Sequence, residues 1–480
     1  MLFVCGAAQA QVRHEEYELL PSTGVKVGDI NNDGFVDVVF RHPSNLCDGV
    51  ILSIFINDGE GHLECSEYIS STKSGSSMFF LVKDFDGNGS NDIATYSYAD
   101  NGNMNNDTCF LRIDYNDGNG RFERFAETAL VQPEVIWYDS VPYHTYNPYF
   151  LGMATGDFNG DSFPDIAVAN DYNSNAMSTL AFVYNDGAGN FDAKFTIGTL
   201  IGPKACDFNN DGKDEIVDNA SLFYSSDSLT PYEGQVHPYV YDGFQINGTV
   251  VLDIDGDGLN DVVEGRSADN SHLWVFKNQG DGTFQKMDSI PFTGAITWYG
   301  EGSDNMKLVN YNGDEYPDII VQMFDFRTEF SGYYVIEGKG TFEFDDPVFF
   351  PMGHAENEYI RGFEVSDLNN DGLDDLIVLH VSWEETSWFE VFFNDGQGDY
   401  TAINELTGKT NITLSPNPAN DIVRIGGGKA EEIQVYNSLG QWVKTYRNCN
   451  EIDLSNLPEG VYTLRISSEE GCTAKRVVKM

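Results

Sequence analysis

Residues 253–261 read Asp-Ile-Asp-Gly-Asp-Gly-Leu-Asn-Asp, and the return of this phrase decides the fold of the chain. Its general form is Asp-x-Asn/Asp-x-Asp-Gly-x-x-Asp, and it begins again at Asp29, Asp84, Asp157, Asp207, Asn310 and Asp367. Oxygen-bearing side chains at positions 1, 3, 5 and 9 of one tight turn can surround a single hard cation, with the position-7 carbonyl as a further donor. Returns at roughly 46 to 73 residues point to an array or propeller built from one repeated unit.

A second phrase follows every loop but the fourth at a distance. An alternating strand runs into Asn-Asp-Gly-x-Gly-x-Phe, as in IFINDGEGHL from Ile54, IDYNDGNGRF from Ile113, FVYNDGAGNF from Phe182 and VFFNDGQGDY from Val391. Looser versions start at Val275 and Val335. Asp-Gly is a strong hairpin signal because the turn needs positive φ. One unit is therefore strand, loop, strand, connection, strand, hairpin, strand. Four antiparallel strands make a propeller blade, so the chain is expected to be all-β, a seven-bladed β-propeller of four-stranded blades. Residues 13–20 are expected to close the ring as a strand beside the last blade. Blade four is expected to be irregular, since no Asn-Asp-Gly follows its loop.

The candidate metal ligands follow from the loop positions. They are Asp29, Asn31, Asp33, Phe35 and Asp37; Asp84, Asp86, Asn88, Ser90 and Asp92; and Asp157, Asn159, Asp161, Phe163 and Asp165. The later loops supply Asp207, Asn209, Asp211, Lys213 and Glu215; Asp253, Asp255, Asp257, Leu259 and Asp261; and Asp367, Asn369, Asp371, Leu373 and Asp375. Position 7 enters through its carbonyl. Clustered carboxylates repel one another by roughly 4 kcal/mol per pair at an effective dielectric near 20, so each loop calls for a cation or for protons. All-oxygen, flexible sites suit calcium better than magnesium, and about six or seven structural calcium ions are expected. An EF-hand is excluded because its twelfth position needs Glu, where Phe40 and Thr95 stand. Loop five, with four acids, is expected to bind most tightly. The loop of Asn310, Asn312, Asp314 and Asp318 is expected to bind weakly, because it has two acids at the key positions and Glu315 in the glycine place. Ser162, also in a glycine place, is expected to carry modest strain.

The formal charge of −49 excludes a nucleic-acid partner, whose phosphates require a basic surface. Nothing in the chain is long and apolar enough for a transmembrane segment. Residues 1–10 read as a signal peptide ending in Ala8-Gln9-Ala10, with a mature start near Gln11. Among the remaining cysteines, Cys47 with Cys65 and Cys449 with Cys472 are candidate disulfides, and Cys206 is expected to be a buried free thiol.

Composition changes near residue 405. After a linker at 407–410, residues 411–480 alternate in short strands separated by Pro-Asn-Pro, Ser-Leu-Gly and Pro-Glu-Gly turns, and predict a small Ig-like β-sandwich. These phrases resemble the type A C-terminal sorting domain of the type IX secretion system. That resemblance implies a partnership with the secretion machinery and a product released or displayed on the outer cell surface. The double phrase of residues 11–406 resembles the FG-GAP/VCBS repeats of integrin-like β-propellers. This second resemblance implies a calcium ion in the loop between the first two strands of each blade. It also implies ligand contact on the opposite face or along blade edges.

No G-x-S-x-G, H-E-x-x-H, Walker or Rossmann motif occurs, and the eight histidines are scattered, so the chain is not expected to be an enzyme. Aromatic residues gather instead in connections: Trp137, Tyr138, Tyr143, His144, Tyr146 and Tyr149 between blades two and three, then Trp298, Tyr299 and Tyr359. Such residues suit stacking on sugar rings or anchoring a protein partner. The expected function is a binding or adhesion module for a glycan or protein ligand. The alternatives are a polysaccharide-degrading enzyme on the same propeller and a scaffold for a partner protein.

Overall fold

A computed structural model describes residues 14–42, 47, 50–70, 77–99, 108–130, 135–138, 141–144, 149–171, 179–197, 203–218, 221–223, 245–267, 272–280, 283–291, 295–296, 305–325, 330–352, 358–382, 386–394, 413–416, 419, 421–426, 430, 432–436, 442–447, 449–458, 460–468 and 471–479. The described residues are all-β, and their strands pair antiparallel. The expected signal peptide and linker lie outside them.

The repeats form consecutive meandering sheets. The first is Gly24–Gly28, Asp37–Arg41, Val50–Asn57 and Leu63–Ser70; the second is Ser77–Lys83, Asp92–Ala99, Thr108–Tyr115 and Arg124–Leu130. The third is Tyr149–Gly156, Asp165–Asp171, Thr179–Asn185 and Phe191–Ile197. The fourth has three described strands, Lys204–Cys206, Glu215–Asp218 and Ser221–Phe223, and residues 224–244, which would continue it, lie outside the described residues. The fifth runs Gln245–Leu252, Asp261–Ser267, His272–Asn278 and Phe284–Lys286; the sixth has Met306–Val309, Asp318–Asp325, Phe330–Ile336 and Val348–Met352 at its heart. The seventh is Glu358–Ser366, Asp375–Ser382 and Ser387–Phe392, and its fourth strand is the N-terminal His14–Leu19.

In each repeat the metal-type loop joins the first strand to the second. The first strands pack side by side in a closed cycle, from the first sheet round to the seventh and back to the first. The apolar core is correspondingly divided into clusters, each shared by two successive sheets. Second strands lie buried on both faces, which is why Asp37–Arg41 is buried along its whole length and reads as an apolar run, not an alternation.

The closing strand is the one element that must travel from the far end of the sequence. It pairs with Ser387–Phe392 in a register that sets Tyr17 opposite Phe389. The two rings stack with centroids 4.6 Å apart and planes 8° from parallel. Phe389 in turn meets Phe40 at 4.4 Å and the edge of Phe55 at 5.2 Å, both in the first sheet. The Tyr17 hydroxyl accepts the Leu63 N–H at 3.2 Å. One tyrosine thus fastens the last sheet to the first.

The C-terminal unit places Thr413–Ser415, Ile422–Gly426 and Glu451–Asp453 in one sheet, and Trp442–Arg447, Glu432–Tyr436, Gly460–Ser468 and Gly471–Lys479 in another. Both contribute to a single core, with Val423, Ile425 and Ile452 from the first and Ile433, Val435, Leu464 and Ile466 from the second.

The candidate disulfides are not formed: Cys47, Cys65 and Cys449 take part in no disulfide. Cys47 precedes Val50, which pairs with Ser70, whereas Cys65 pairs with Phe55 further along the strands. Five residues of strand, roughly 17 Å, therefore lie between the two ends, well beyond disulfide reach. Cys449 packs against the core of the C-terminal unit. Cys206 is free as expected, but half-buried, with its sulfur 2.8 Å from the Asn260 amide nitrogen.

Tyr17→Ala removes the stacked ring and the hydroxyl acceptor at the closure. It is expected to cost about 2 kcal/mol in chemical denaturation of the full chain, with Tyr17→Phe keeping most of that stability. Equal stability of the alanine variant and the parent would show that closure does not depend on this contact.

Candidate metal-binding loops and their supports

The loops are built by their own backbone. Positions 4 and 6 take positive φ: Asn32 at 59° and Gly34 at 90° in the first loop, Asn370 at 59° and Gly372 at 91° in the last. This double reversal turns the intervening N–H groups inward. The position-1 carboxylate accepts the position-6 N–H, at 3.0 Å for Asp29 with Gly34 and 2.8 Å for Asp84 with Gly89. Position-5 side chains accept the N–H of position 7, as Asp33 does from Phe35 at 2.9 Å and Asp257 from Leu259 at 3.0 Å. Ser162 holds the same place with φ of 74°, the strain expected of it, and still donates its N–H to Asp157 at 2.7 Å. Loop six departs: its Asn310 Oδ1 still accepts the position-4 N–H of Gly313 at 3.1 Å, but its side-chain amide donates to the Gly372 carbonyl of the next loop.

Position 9 is different in kind. Asp37, Asp92, Asp165, Asp261, Asp318 and Asp375 are fully buried, and Glu215 nearly so. One oxygen accepts the N–H of position 2, at 2.8 Å from Ile30 to Asp37. The other accepts the N–H of the asparagine in the hairpin phrase, at 2.8 Å from Asn57 to Asp37 and from Asn116 to Asp92. The exceptions are Asp318, which takes it from Gly338, and Glu215, which takes it from the Asn209 side-chain amide, both at 2.9 Å. Burial pushes these carboxyls up, to about 6 for Asp37, Asp92, Asp261 and Asp318 and to about 7 for Asp165, Glu215 and Asp375. The backbone donors pull the other way, and neighbouring loop acids add to the rise.

The asparagine side chain then reaches the preceding sheet. Asn57 donates to the Leu368 carbonyl at 2.8 Å, Asn116 to Ile30 at 2.6 Å, Asn185 to Phe85 at 2.7 Å, Asn278 to Phe208 at 2.8 Å and Asn394 to Tyr311 at 2.7 Å. Each acceptor is a position-2 carbonyl whose own N–H serves a position-9 acid. Position 8 adds a second tie where it is polar. Asp214 accepts the Asp157 N–H at 2.8 Å, Asp374 accepts that of Asn310 at 2.6 Å, and Asn91 donates to the Asp29 carbonyl at 2.9 Å. Position 7 packs on the hairpin glycine: a Cβ on Gly187 would lie 2.3 Å from the Phe163 ring. Sequence reading found the loop acids but missed these supports. The recurrent Asn before Asp-Gly was their visible signal.

Cation fit can be judged from the oxygens left over. The buried Oδ1 atoms of Asp29 and Asp255 have no hydrogen-bond partner. Carboxylate oxygens of Asp84, Asp86 and Asp92 converge within 4.8 Å of one another, as do those of Asp253, Asp255 and Asp261. Such a donor set fits a hard divalent cation. Loop five also has an internal rival that the sequence reading did not weigh. The Lys277 ammonium bonds Asp255, and Asp257 at 2.7 Å, and these bonds raise the Lys277 pKa and lower that of Asp257. Arg124 plays the same part on Asp86 in loop two.

The aromatic candidates are placed only in part. Trp137, Tyr138, Tyr143 and His144 lie on a hairpin, Val135–Tyr138 with Val141–His144, that runs beside Phe191–Ile197. Tyr149 is the first residue of the first strand of the third sheet, and Tyr359 the second residue of the first strand of the seventh. Tyr146, Trp298 and Tyr299 lie outside the described residues. One histidine is a core residue: His42 is buried between the Ser22 and Ser53 hydroxyls at 2.9 and 2.8 Å, and burial pushes it down to about 4.

Ser162→Gly relieves the positive φ and is expected to stabilise the protein by about 1 kcal/mol in denaturant melts; destabilisation would show the serine to be favoured there. The raised position-9 carboxyls also set a pH dependence. Each binds its proton more tightly in the fold than in the unfolded chain, so its contribution is complete below the ordinary carboxylate pKa and is lost as pH rises through about 6 to 7. Protein stripped of divalent cations is expected to melt at lower temperature near pH 8 than near pH 5, with added divalent cation restoring most at the higher pH. A cation-free melting temperature that rises across that range would contradict this account.

With the geometry described, comparison places the chain among known proteins. Residues 29–95, 157–217, 253–321 and 310–378 match the FG-GAP-like repeat family, together more than half of the chain. Residues 413–480 match the secretion system C-terminal sorting domain. No curated protein matches the chain. Similar solved structures include an exotype rhamnogalacturonan lyase, YesX, at 12% identity and a TM-score of 0.43, with 79% of this chain and 72% of that one covered. The Dos1 propeller is similar at 12% identity and a TM-score of 0.33, covering 76% of this chain and 67% of that one. The sorting domain directs the protein through the type IX secretion system to the outer surface or the extracellular space. The chain belongs to the FG-GAP-like repeat proteins, as an exported all-β propeller protein that carries its own sorting domain.

Proposed function

We propose that the protein is a calcium-stabilised seven-bladed propeller, without catalytic activity, that acts as a binding or adhesion module for a glycan or protein ligand outside the cell. The loop acids at positions 1, 3, 5 and 9, with the position-7 carbonyls, are the proposed calcium ligands, and their role is structural. The observation that carries the reading is the convergence of the Asp84, Asp86 and Asp92 oxygens, and of those in loop five, on loops that brace a closed ring. Calcium bound to such loops would hold the first hairpin of each sheet. A surface formed from several blades then keeps its shape outside the cell. The aromatic connections around Trp137 and Trp298 are the proposed ligand contacts.

The test is a glycan array probed with the full chain in calcium and again after chelation, alongside thermal melts. Calcium is expected to raise the melting temperature, each filled site adding roughly 2.7 kcal/mol at a hundred-fold excess over its Kd. Binding to a defined sugar is expected to need calcium and to fall in a graded way in Trp137→Ala and Trp298→Ala. Unchanged melting on chelation would remove the calcium role. Turnover of a polysaccharide, abolished by one acid or histidine substitution, would replace the binding module with the enzyme reading. Calcium-loaded protein that binds no sugar would leave a protein partner as the ligand.

A further inference from the structure

The first strands of all seven sheets enclose a cavity of about 470 Å³, within the size range of small-molecule sites. Its charged lining residues are Lys26, Lys204, Lys307 and Glu364. Each stands three residues before the first position of its metal-type loop, so the four share one level of the channel. The other three positions of that level are apolar. Lys26 and Lys307 both reach the same oxygen, Oε1 of Glu364, at 3.1 Å. Their side chains and that of Glu364 are largely withdrawn from solvent, at 21%, 12% and 9% exposure.

The balance at this level is three ammonium groups to one carboxylate. The chain as a whole is the reverse, with 27 Lys and Arg against 76 Asp and Glu. Concentrating scarce cations around a partly enclosed cavity raises the local potential, because low-dielectric walls focus the field. A second observation points to a guest. Thr249 lines the same cavity, is fully buried, and its Oγ1 has no hydrogen-bond partner. A buried hydroxyl without a partner costs stability unless something in the cavity accepts or donates to it.

We propose that the central channel is a binding site for a small oxyanion, a carboxylate or sulfate-like group, held by Lys204 and Lys307 with Lys26 and bonded by the Thr249 hydroxyl. Glu364 holds two of the lysines in place and competes with the guest for them. The site lies on the first strands, apart from the aromatic connections. It goes beyond the binding-module reading and stands whether or not that reading holds.

The test is titration calorimetry of the full, calcium-loaded chain at low ionic strength with sulfate, with glucuronate and with uncharged glucose. These anions are chosen because they do not strip calcium. At least one anion is expected to bind and glucose is not; which anion binds separates an inorganic oxyanion from a carboxylated sugar. Lys204→Met and Lys307→Met are each expected to weaken binding by about ten-fold or more, the scale of one charge-assisted hydrogen bond. Glu364→Gln is expected to strengthen it, because it removes the competing carboxylate. A purely structural ion pair would give no such gain. The proposal is overturned if neither anion binds, if glucose binds equally well, or if folded lysine variants bind like the parent. Should the lysine variants fail to fold, unchanged affinity in Glu364→Gln overturns it instead.

Discussion

The buried carboxylate at position 9 of each loop organises the molecule. Its two oxygens take one N–H from the loop and one from the hairpin phrase, so it locks the first half of a sheet to the second. The hairpin asparagine then passes the connection to the preceding sheet through a position-2 carbonyl. Loop acid, position-2 peptide and asparagine form a relay that runs from the sixth sheet through the seventh, first and second to the third. It breaks where the fourth sheet lacks the phrase and where Gly338 stands in the asparagine place of the sixth. At the first break the reciprocal bonds between Asp214 and Asp157 take over.

The relay accounts for the unusual cost these proteins accept in burying acids. A buried carboxylate is tolerable when backbone donors and a nearby cation hold its charge. Further acids at positions 1, 3 and 5 stand in the same loop, and they make the repeat acidic. Some basic residues enter at a loop, as with Lys277 and Arg124, and some in the channel, as with Lys26 and Lys307. Basic residues here act locally, against particular carboxylates.

Much was legible in advance. The loop phrase marked the junction of first and second strands in every repeat, and the Asn-Asp-Gly phrase marked the second hairpin. The closing strand was readable from residues 13–20, and it pairs with the seventh sheet as expected. The disulfides were misjudged, because proximity along the chain says nothing about which end of a strand pair a cysteine occupies. The ranking of loop five was incomplete for a related reason. Lys277 is sixteen residues beyond the loop and meets it only because the third strand lies beside the second.

Local chemistry, repeated, was enough to specify strand order, turn type and the clustering of acids in the loops, because each depends on residues within one short stretch. What only the tertiary structure decided was what those stretches meet: the asparagine bridges between sheets, the tyrosine at the ring closure, and the lysines gathered at one level of the channel. These contacts join residues from separate repeats. Their partners are set by how the sheets pack in a ring, and no spacing within a single repeat encodes that.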